Sequence, residues 1–407
     1  MITRPGFGGA VIAFLETLTL FDSKVRRMTI TVSGTGIAGM SAALAAANAG
    51  YSVTLCGRLT SLPPAGGIQL APNGWQALDQ LGLFDAAIKR ATQLNHIVVR
   101  DLGSAATLTR IGLNNHYGSI GRADLLDLLQ GAVATHSAIT CHPALISQAV
   151  PHRDGVNLVL DNGQSIMTTA LIAADGFAGI GRRLVTGTAP SEVTYPDRVA
   201  MRADIDAENL PAVFAQPASN LWLGQGAHLV HYPIACGRRI NFSVTLSAHL
   251  AESHWQTKIF GTNPLFEQLT TGQFQWMKTS VSPACSPLCW RLGRVVLAGD
   301  AAHIMPPHLA QGAGQALQDA ASLQRALTTA TSIDDALSSY ACQRASAVSA
   351  IVRKADISGK IMALGGARGR LRNIMIGLAG PNFLQSWLAD VWAGDPVMAQ
   401  TTTKRTA

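Results

Sequence analysis

The order of apolar and polar positions predicts an α/β fold that begins with a βαβ unit. Residues 29–58 read TITVSGTGIAGMSAALAAANAGYSVTLCGR, which is an apolar stretch, a glycine turn, an alanine-rich stretch of helical length and a second apolar stretch. Short continuous apolar runs are typical of buried parallel strands. We therefore expect two parallel strands joined by a helix, with a glycine-rich turn at the end of the first strand.

Periodicity and turn residues predict several further elements. Residues 66–83 are typical of a turn followed by a short amphipathic helix. Residues 120–136 are typical of a longer helix, because apolar residues recur at helical spacing. These apolar residues are Leu125, Leu128, Leu129 and Val133. Alternating residues on both sides of Asn162 and Gly163 predict a β-hairpin. Towards the C-terminal end, helices are expected at about 315–330, 333–362 and 380–393.

Residues 195–284 have a different pattern from the segments around them. RVAMRADI, LWLGQGAHLVHYPI and RINFSVTL alternate between apolar and polar positions, as antiparallel strands with one buried face do. The segments ALIAADG and WRLGRVVLAGD on either side are aliphatic until they reach an aspartate, as buried parallel strands are. The pattern predicts a second, sheet-based lobe inserted into an α/β domain.

Composition indicates a folded globular protein of 407 residues, since 48% of them are hydrophobic and 14% are charged. The net charge of +7 is dispersed without a dense Lys/Arg tract, so it favours a mildly basic surface that attracts small anions over a nucleic-acid interface. Six cysteines without a CxxC pair indicate neither a metal site nor a disulfide framework, and they suit a reducing, cytoplasmic setting.

No membrane span or secretion signal is expected. The most apolar window, residues 36–55, contains three glycines and several polar residues, which is not typical of a spanning helix. Residues 1–27 are interrupted by Glu16 and lack a clear cleavage site. We treat them as an N-terminal extension of doubtful role, with Met28 as an alternative start.

A dinucleotide fingerprint follows the first predicted strand. The GxGxxG pattern is formed by Gly34, Gly36 and Gly39, at the point where a strand ends and a helix begins. Backbone N–H groups and the helix dipole can hold a pyrophosphate there, which favours a nucleotide site over a structural turn. The acidic residue expected about 20 residues further on for ribose binding falls at Gly57, beside Arg58.

Two further motifs stand at predicted strand ends. One is Asp175 and Gly176 followed by Arg182, and the other is GDAAHIMPPHLAQGAGQALQDA at residues 299–320. In this order and spacing, the three motifs resemble the class A FAD-dependent monooxygenases, the single-component aromatic hydroxylases, in their salicylate and 6-hydroxynicotinate hydroxylase branch. The resemblance extends from Met28 to about Ala355. It implies a discontinuous Rossmann-like FAD-binding domain, an antiparallel β-sheet substrate lobe and C-terminal helices.

The resemblance also implies a division of the chain. The FAD-binding domain would comprise residues 28–194, with a substrate-lobe insertion near 66–100, and residues 285–355. Residues 195–284 would form the antiparallel substrate lobe, residues 356–399 the C-terminal helices and residues 400–407 a tail.

Cofactor-binding residues follow from the same resemblance. Gly34, Gly36 and Gly39 would approach the FAD pyrophosphate, with Asp175 in the second motif. Arg122 would reach the phosphates or the adenosine. Asp300 would bind the ribityl chain. The flavin would meet the amides around three residues at a helix start, where the dipole stabilises a reduced, anionic ring. These residues are Gly312, Ala313 and Gly314.

Two departures from the family pattern concern the cofactor. Gly57 replaces the acid, for which Arg58 could compensate, and Gly179 replaces a serine near the phosphates. Only one dinucleotide fingerprint is present, so NADH or NADPH would dock transiently, as it does in the family.

In the family, reduced flavin and O2 form a C4a-hydroperoxide that attacks an electron-rich ring. A base that deprotonates a ring hydroxyl would assist. Strand alternation places His228, Val230 and Tyr232 on one face and Leu229 with His231 on the other. His228 and Tyr232 are therefore candidate catalytic residues, although either could be a hydrogen-bonded core residue. Pro307 matches a family proline whose carbonyl faces the substrate, although it could merely shape the turn.

Other residues have more ordinary expected roles. We expect Arg202 to be a surface salt-bridge partner, although it could pair with a substrate carboxylate. His303 is expected to be structural. Cys285 and Cys289 are expected to be buried small residues and no metal site is expected. Arg368, Arg370 and Arg372 are expected on a solvated helix face, with contact to an anionic membrane as the alternative.

The sequence therefore predicts an FAD-dependent, NAD(P)H-using monooxygenase. It would hydroxylate a small phenolic or N-heteroaromatic substrate with O2, as a monomer or homodimer without stable membrane insertion. One alternative is an oxygenase that tailors a larger polycyclic natural product. Another is a flavin- or ligand-binding homologue without turnover.

Overall fold

The computed structural model describes residues 28–58, 66–113, 116–187, 198–252, 254–261 and 263–393. The N-terminal extension and the tail that the sequence suggests lie outside these ranges. The strands in chain order are β1 Thr29–Ser33, β2 Ser52–Cys56, β3 Gly67–Leu70, β4 Thr92–Gln93, β5 His96–Asp101, β6 Thr107–Gly112, β7 Gly118–Gly121, β8 Ile139–His142, β9 Ile146–Pro151, β10 Val156–Leu160, β11 Ser165–Thr168, β12 Ala170–Ala173, β13 Arg198–Asp206, β14 Ala218–Leu223, β15 His228–Ile234, β16 Arg239–Ser247, β17 Met277–Ser280, β18 Arg291–Leu292 and β19 Val295–Leu297.

The α-helices in chain order are α1 Ile37–Asn48, α2 Pro72–Gln80, α3 Phe84–Ile88, α4 Arg122–Thr135, α5 Ile180–Thr186, α6 Trp255–Phe260, α7 Glu267–Thr270, α8 Gly312–Thr329, α9 Ile333–Met362 and α10 Gly366–Trp392. None of the helices in the described ranges combines the length and the apolar character that a membrane span requires.

A six-stranded sheet in the order β18-β19-β12-β1-β2-β8 forms the centre of the nucleotide-binding part. β1 pairs in parallel with β2 and with β12, and α1 connects β1 to β2, so the predicted βαβ unit is confirmed. The alanines of α1 are buried because this helix packs between the sheet and α8. Small side chains allow that close approach of helix and sheet. The predicted hairpin is confirmed as well, since β10 and β11 pair antiparallel across Asn162 and Gly163.

A seven-stranded sheet in the order β17-β13-β16-β15-β14-β5-β6 forms the second lobe. β13, β16, β15 and β14 pair antiparallel, as the alternating pattern predicts. However, β5 pairs with β14 in parallel, so the lobe is a mixed sheet. The reason is connectivity: β5 and β6 belong to an earlier segment of the chain and join the sheet through its β14 edge.

The C-terminal helices differ from the prediction at one point. α9 has the predicted bounds, but α10 begins at Gly366 and not near residue 380. Gly380 has φ of 70° and ψ of −178° and precedes Pro381, so it interrupts the helical backbone inside α10. The sequence signal at Gly380 and Pro381 marks a kink with helix on both sides of it.

One buried carboxylate joins the C-terminal end of β19 to α8 and α9. Asp319 of α8 accepts hydrogen bonds from the Gly299 amide at 2.8 Å and His303 Nε2 at 2.7 Å, while its other oxygen accepts from Arg344 Nε at 2.7 Å. His303 is fully buried, so its structural role is as predicted. Burial alone would raise the pKa of Asp319, but His303 and Arg344 outweigh burial and hold that pKa below its usual value. The ionised carboxylate thus stabilises the fold at neutral pH, and this contribution is lost only in strong acid, as pH falls through the lowered pKa.

Replacement of Arg344 by Met should lower the free energy of unfolding by about 3–5 kcal/mol, because it leaves the Asp319 carboxylate buried without its guanidinium partner. Urea denaturation at neutral pH measures this difference. Arg353 lies exposed on the same helix, so Arg353→Met should change the unfolding free energy by less than about 0.5 kcal/mol. Equal losses in the two variants would contradict the structural role of the network.

Candidate active site

A cavity of about 1020 Å³ lies between the two sheets. Its first wall is formed by the turns that follow β1, β12 and β19, and its second wall by one face of the seven-stranded sheet. Ligands of α/β proteins bind in the crevice at the carboxyl ends of the parallel strands. The three motifs that the sequence analysis singles out meet at this crevice.

The first turn fits closely against the neighbouring strand. Gly34 has φ of +101°, and a Cβ there would come within 2.2 Å of the Ala174 carbonyl oxygen, so only glycine is tolerated. Gly36 is the N-cap of α1, and no side chain caps this helix or places a carboxylate in its first turn. Both residues line the cavity. Gly39 does not, because it packs against the Gly34 carbonyl behind the turn. The structure thus gives Gly39 a packing role that requires the absence of a side chain.

A second helix begins at the same cavity. Gly312 and Ala313 in the first turn of α8 line it, and here too the helix has neither a side-chain cap nor an acidic residue in its first turn. Gly314 is buried beside Asn73 and Gln311 and does not line the cavity. Two positive helix ends, both without a charge partner of their own, therefore meet in one space.

The two aspartates of the motifs lie at strand ends beside these helices. Asp300 is accessible from the cavity, yet the surrounding protein displaces bulk water and raises its pKa. Burial likewise raises the pKa of Asp175, whose carboxylate accepts a hydrogen bond from the Gly181 amide at 3.2 Å. A Cβ at Gly179 would collide with that carboxylate at 2.1 Å. The glycine at the family's serine position therefore makes room for Asp175 in its present conformation.

The two predicted cofactor-binding arginines have different surroundings. Arg122, at the start of α4, lines the cavity, and its backbone amide donates to the Gly66 carbonyl at 2.8 Å. Arg58 is exposed and pairs with Asp161 at 2.5 Å outside the cavity lining. Arg58 therefore does not replace the missing ribose-binding acid in this conformation.

The second wall has the alternation that the sequence predicts for β15. His228, Val230 and Tyr232 line the cavity, whereas Leu229 is buried in the apolar core of the lobe. His231 stacks between Trp222 and Phe242 in that core. The imidazole of His228 and the phenol of Tyr232 therefore face the same space, on opposite sides of Val230.

Burial keeps both side chains uncharged at neutral pH. Desolvation lowers the pKa of His228 well below its usual value, with help from nearby His308, Arg198 and Arg372. Desolvation raises the pKa of Tyr232 far above its usual value. A neutral imidazole can accept a proton from a ligand, whereas the un-ionised phenol can donate a hydrogen bond but cannot act as a base.

Arg202 contradicts the expectation of a surface salt bridge. It is half-buried on β13 and lines the cavity, and its Nε has no hydrogen-bond partner among the described residues. Desolvation lowers its pKa, and its charge is felt by Tyr232 and Asp204. Asp204 is engaged elsewhere, since it accepts a hydrogen bond from the Gly66 amide at 2.8 Å. The guanidinium is therefore available to an anionic ligand.

Sequence reasoning missed His308 as a residue of the site. Its ring lies 5.2 Å from that of His228 between centroids, lines the same cavity and packs on Gly359 of α9. Burial lowers the pKa of His308 to about 4, so it is neutral as well. The available signal was its position directly after Pro307, which also lines the cavity. Tyr117 and Gln69, which share a hydrogen bond of 3.2 Å, were missed because nothing in their local pattern points to a site.

The expectations for the cysteines and the C-terminal arginines are partly corrected. Cys285 is half-buried beside Arg182, but Cys289 is exposed and not a buried residue. The described residues contain no cluster of potential metal ligands. Arg368 and Arg370 are exposed, whereas Arg372 is buried and donates to the carbonyls of three residues at the α9–α10 connection. These are Ile361, Met362 and Leu364.

The residues present fit FAD. Gly36 leaves open space where a side chain would stand, and the first turns of α1 and α8 offer unpaired amides to a pyrophosphate and to the flavin. Asp300 provides a hydrogen-bond acceptor, and Arg122 provides a positive charge. The cavity is also large enough to continue from the flavin region to the wall formed by β15.

Comparison with known proteins agrees with this assignment. A family model described as an FAD binding domain matches residues 27–355. A 3-hydroxybenzoate 6-hydroxylase of Klebsiella oxytoca is 30% identical over 376 residues, which cover 87% of this chain and 93% of that protein. A 3-amino-4-hydroxybenzoate 2-monooxygenase of Streptomyces platensis is 33% identical over 321 residues, covering 72% of this chain and 78% of that protein.

Solved structures show the same fold. Klebsiella pneumoniae HpxO complexed with FAD and uric acid has a TM-score of 0.79 at 23% identity, covering 91% of this chain and 98% of that chain. A salicylate hydroxylase substrate complex has a TM-score of 0.74 at 20% identity, covering 93% and 98% respectively. The predicted family is thereby confirmed, and this chain belongs to the FAD-dependent aromatic hydroxylases, the class A flavin monooxygenases.

Proposed function

We propose that this chain hydroxylates a small phenolic carboxylic acid of the hydroxybenzoate type, with FAD as resident cofactor and NADH or NADPH as transient electron donor. The observation that carries the proposal is that Arg202 and His228 lie in the same wall of the cavity. A guanidinium whose Nε has no hydrogen-bond partner among the described residues suits a carboxylate, and a neutral imidazole suits a phenol. The names of the relatives, which act on hydroxybenzoates and an aminohydroxybenzoate, support the same class.

The size of the cavity favours a small ring. Pockets of about 300–1000 Å³ hold one drug-sized ligand. A cavity of about 1020 Å³ that also has to accept a dinucleotide leaves space for a single aromatic ring rather than a polycyclic compound. This argues against the tailoring oxygenase of large natural products as the second candidate.

Each group in the cavity has a distinct task in this proposal. Arg202 binds the substrate carboxylate and fixes the orientation of the ring. His228 accepts the proton of the ring hydroxyl, which makes the ring more electron-rich. Tyr232 donates a hydrogen bond to the resulting oxyanion, and Pro307 lines the pocket. FAD, when bound and reduced, supplies the electrons that activate O2 for transfer to the ring.

The first test is turnover by the FAD-loaded protein. NADH or NADPH oxidation should be stimulated by hydroxybenzoates, and a hydroxylated product should appear only when oxygen is present. The corresponding phenols without a carboxylate should stimulate less, because they leave Arg202 unpaired. Protein that binds FAD stoichiometrically but oxidises neither donor with any aromatic acid would instead be the flavin-binding homologue without turnover.

Replacement of Arg202 by Gln should raise KM for the carboxylate substrate about 10- to 100-fold, which corresponds to the loss of one charged hydrogen bond. Activity with a neutral phenol should change little. Arg239→Gln is the control, because Arg239 lies in the same sheet outside the cavity lining and faces Asp206. Steady-state kinetics with both substrates measures the effect. Equal loss with the acid and the phenol would contradict carboxylate binding by Arg202.

Replacement of His228 by Asn should lower kcat about 100-fold or more, because no base remains for the phenol. The deficit should shrink as pH rises and the substrate ionises in solution. In the unmodified enzyme, the lowered pKa keeps His228 neutral, so no loss of activity from its protonation is expected around the usual imidazole pKa of about 6.5. Tyr232→Phe is the control: it removes a hydrogen-bond donor but no base, so its smaller deficit should not shrink with pH. A deficit in His228→Asn that does not change with pH would overturn the role of this base.

A further inference from the structure

The first half of α10 exposes an unusual apolar stripe. Leu371, Ile374, Met375 and Leu378 follow each other at helical spacing, and between 56% and 79% of each residue's surface is accessible. Four large apolar side chains at i, i+3, i+4 and i+7 form one continuous face. Single exposed apolar residues need no explanation, but a continuous patch indicates an interaction surface. The helix packs on β6 of the seven-stranded sheet, and Ile374 and Leu378 also line the groove between the helix and that strand.

The charges that this segment of the helix contributes around the stripe all have one sign. From residue 357 to residue 389 the sequence contains four basic residues and no acidic one. Arg368 and Arg370 are exposed, and the 100° turn per residue places them on opposite sides of the stripe. Asp101 faces the groove between β6 and α10, where it accepts hydrogen bonds from Ser104 and Asn373. The outer face therefore presents apolar side chains between two exposed cations, Arg368 and Arg370.

The cavity opens beside the same apolar surface. Phe383 follows the Gly380 kink and is 58% accessible, yet it also lines the cavity. Ile361 near the end of α9 is 42% accessible and lines the cavity as well. The second half of α10 thus covers the active-site cavity, and the first half of the same helix carries the stripe.

We propose that the outer face of α10 binds the surface of a membrane that contains anionic lipids. A helix with an apolar face and flanking arginines lies in the interface, with the apolar side chains at the acyl boundary and the cations among the head groups. No spanning segment is involved.

Charge distinguishes this occupant from a second copy of the chain. In a two-fold symmetric contact the stripe would pack on itself. Arg368 and Arg370 of each copy would then border the contact without an acidic residue of the same segment to pair with. An anionic lipid surface supplies the counter-charge and uses both features of the helix.

Flotation of the full-length, FAD-loaded protein with lipid vesicles tests the proposal. The protein should bind vesicles of phosphatidylcholine mixed with phosphatidylserine, and bind phosphatidylcholine alone far less. Arg368→Gln and Arg370→Gln should each weaken binding about fivefold, as expected for one cation near an anionic surface. Added salt should weaken binding in the same way.

A matched pair of triple variants distinguishes binding through the stripe from nonspecific binding by exposed apolar residues. Leu371→Ser, Ile374→Ser and Leu378→Ser together should abolish binding, whereas Leu145→Ser, Val150→Ser and Met167→Ser should not. The second set is similarly exposed, at 47%, 54% and 79%, on and beside the β9–β11 sheet. Thermal melting and FAD absorbance check that both variants fold.

Binding that survives the first set, or no binding to anionic vesicles at all, would overturn the proposal. So would a dimer seen by light scattering that only the first set dissociates, because the stripe would then be a contact between copies. Since vesicle binding needs no turnover, its failure leaves the proposed hydroxylase activity untouched.

Discussion

The buried carboxylate of Asp319 is the interaction on which the active site depends most. It holds the amide of Gly299 and the ring of His303, and thereby fixes both ends of the turn that carries Asp300. Arg344 balances its charge from the next helix. An ionised group without water must have all its partners in place. The geometry of the cofactor-facing turn is therefore determined from behind, by residues that do not line the cavity.

Backbone and side chains both contribute positive potential to the cavity. The N-termini of α1 and α8 converge without a carboxylate in either first turn. Among the described lining residues, Arg122, Arg202 and Arg372 add full positive charges. This arrangement suits an anionic cofactor and an anionic substrate at the same time, because helix ends hold charge without the desolvation cost of a buried side-chain ion.

The local sequence pattern predicts those parts of the structure that depend on interactions between residues close together in the sequence. The βαβ unit, the hairpin at Asn162 and the face shared by His228 and Tyr232 follow from glycine turns and from the two-residue period of a strand. Arg202 was assigned to the surface because alternation alone does not show that another part of the chain covers that face. The sequence pattern does not identify His308 and predicts the start of α10 too far along the chain for a similar reason. The environments of this residue and this helix depend on packing against α9 and β6.

Three cofactor assignments illustrate the same limit within the motifs. Gly39 and Gly314 belong to glycine patterns that do surround the cavity, yet both support their turns from behind. Arg58 follows the missing acid in sequence, but in the structure it pairs with Asp161 outside the cavity lining. A motif specifies a backbone path, whereas the direction of each side chain depends on neighbours far away in sequence.

The parallel pairing of β5 with β14 has a consequence for how the molecule assembles. The two strands are separated by more than a hundred residues, and the intervening chain contributes to the other sheet before it returns. Any continuous stretch of polypeptide that contains all strands of the second lobe therefore also contains strands of the other sheet. Its sheet closes only after distant segments have met, a slow kind of event in folding. A fragment cut at the lobe's apparent boundaries would lack two strands at one edge and expose an unpaired ladder there.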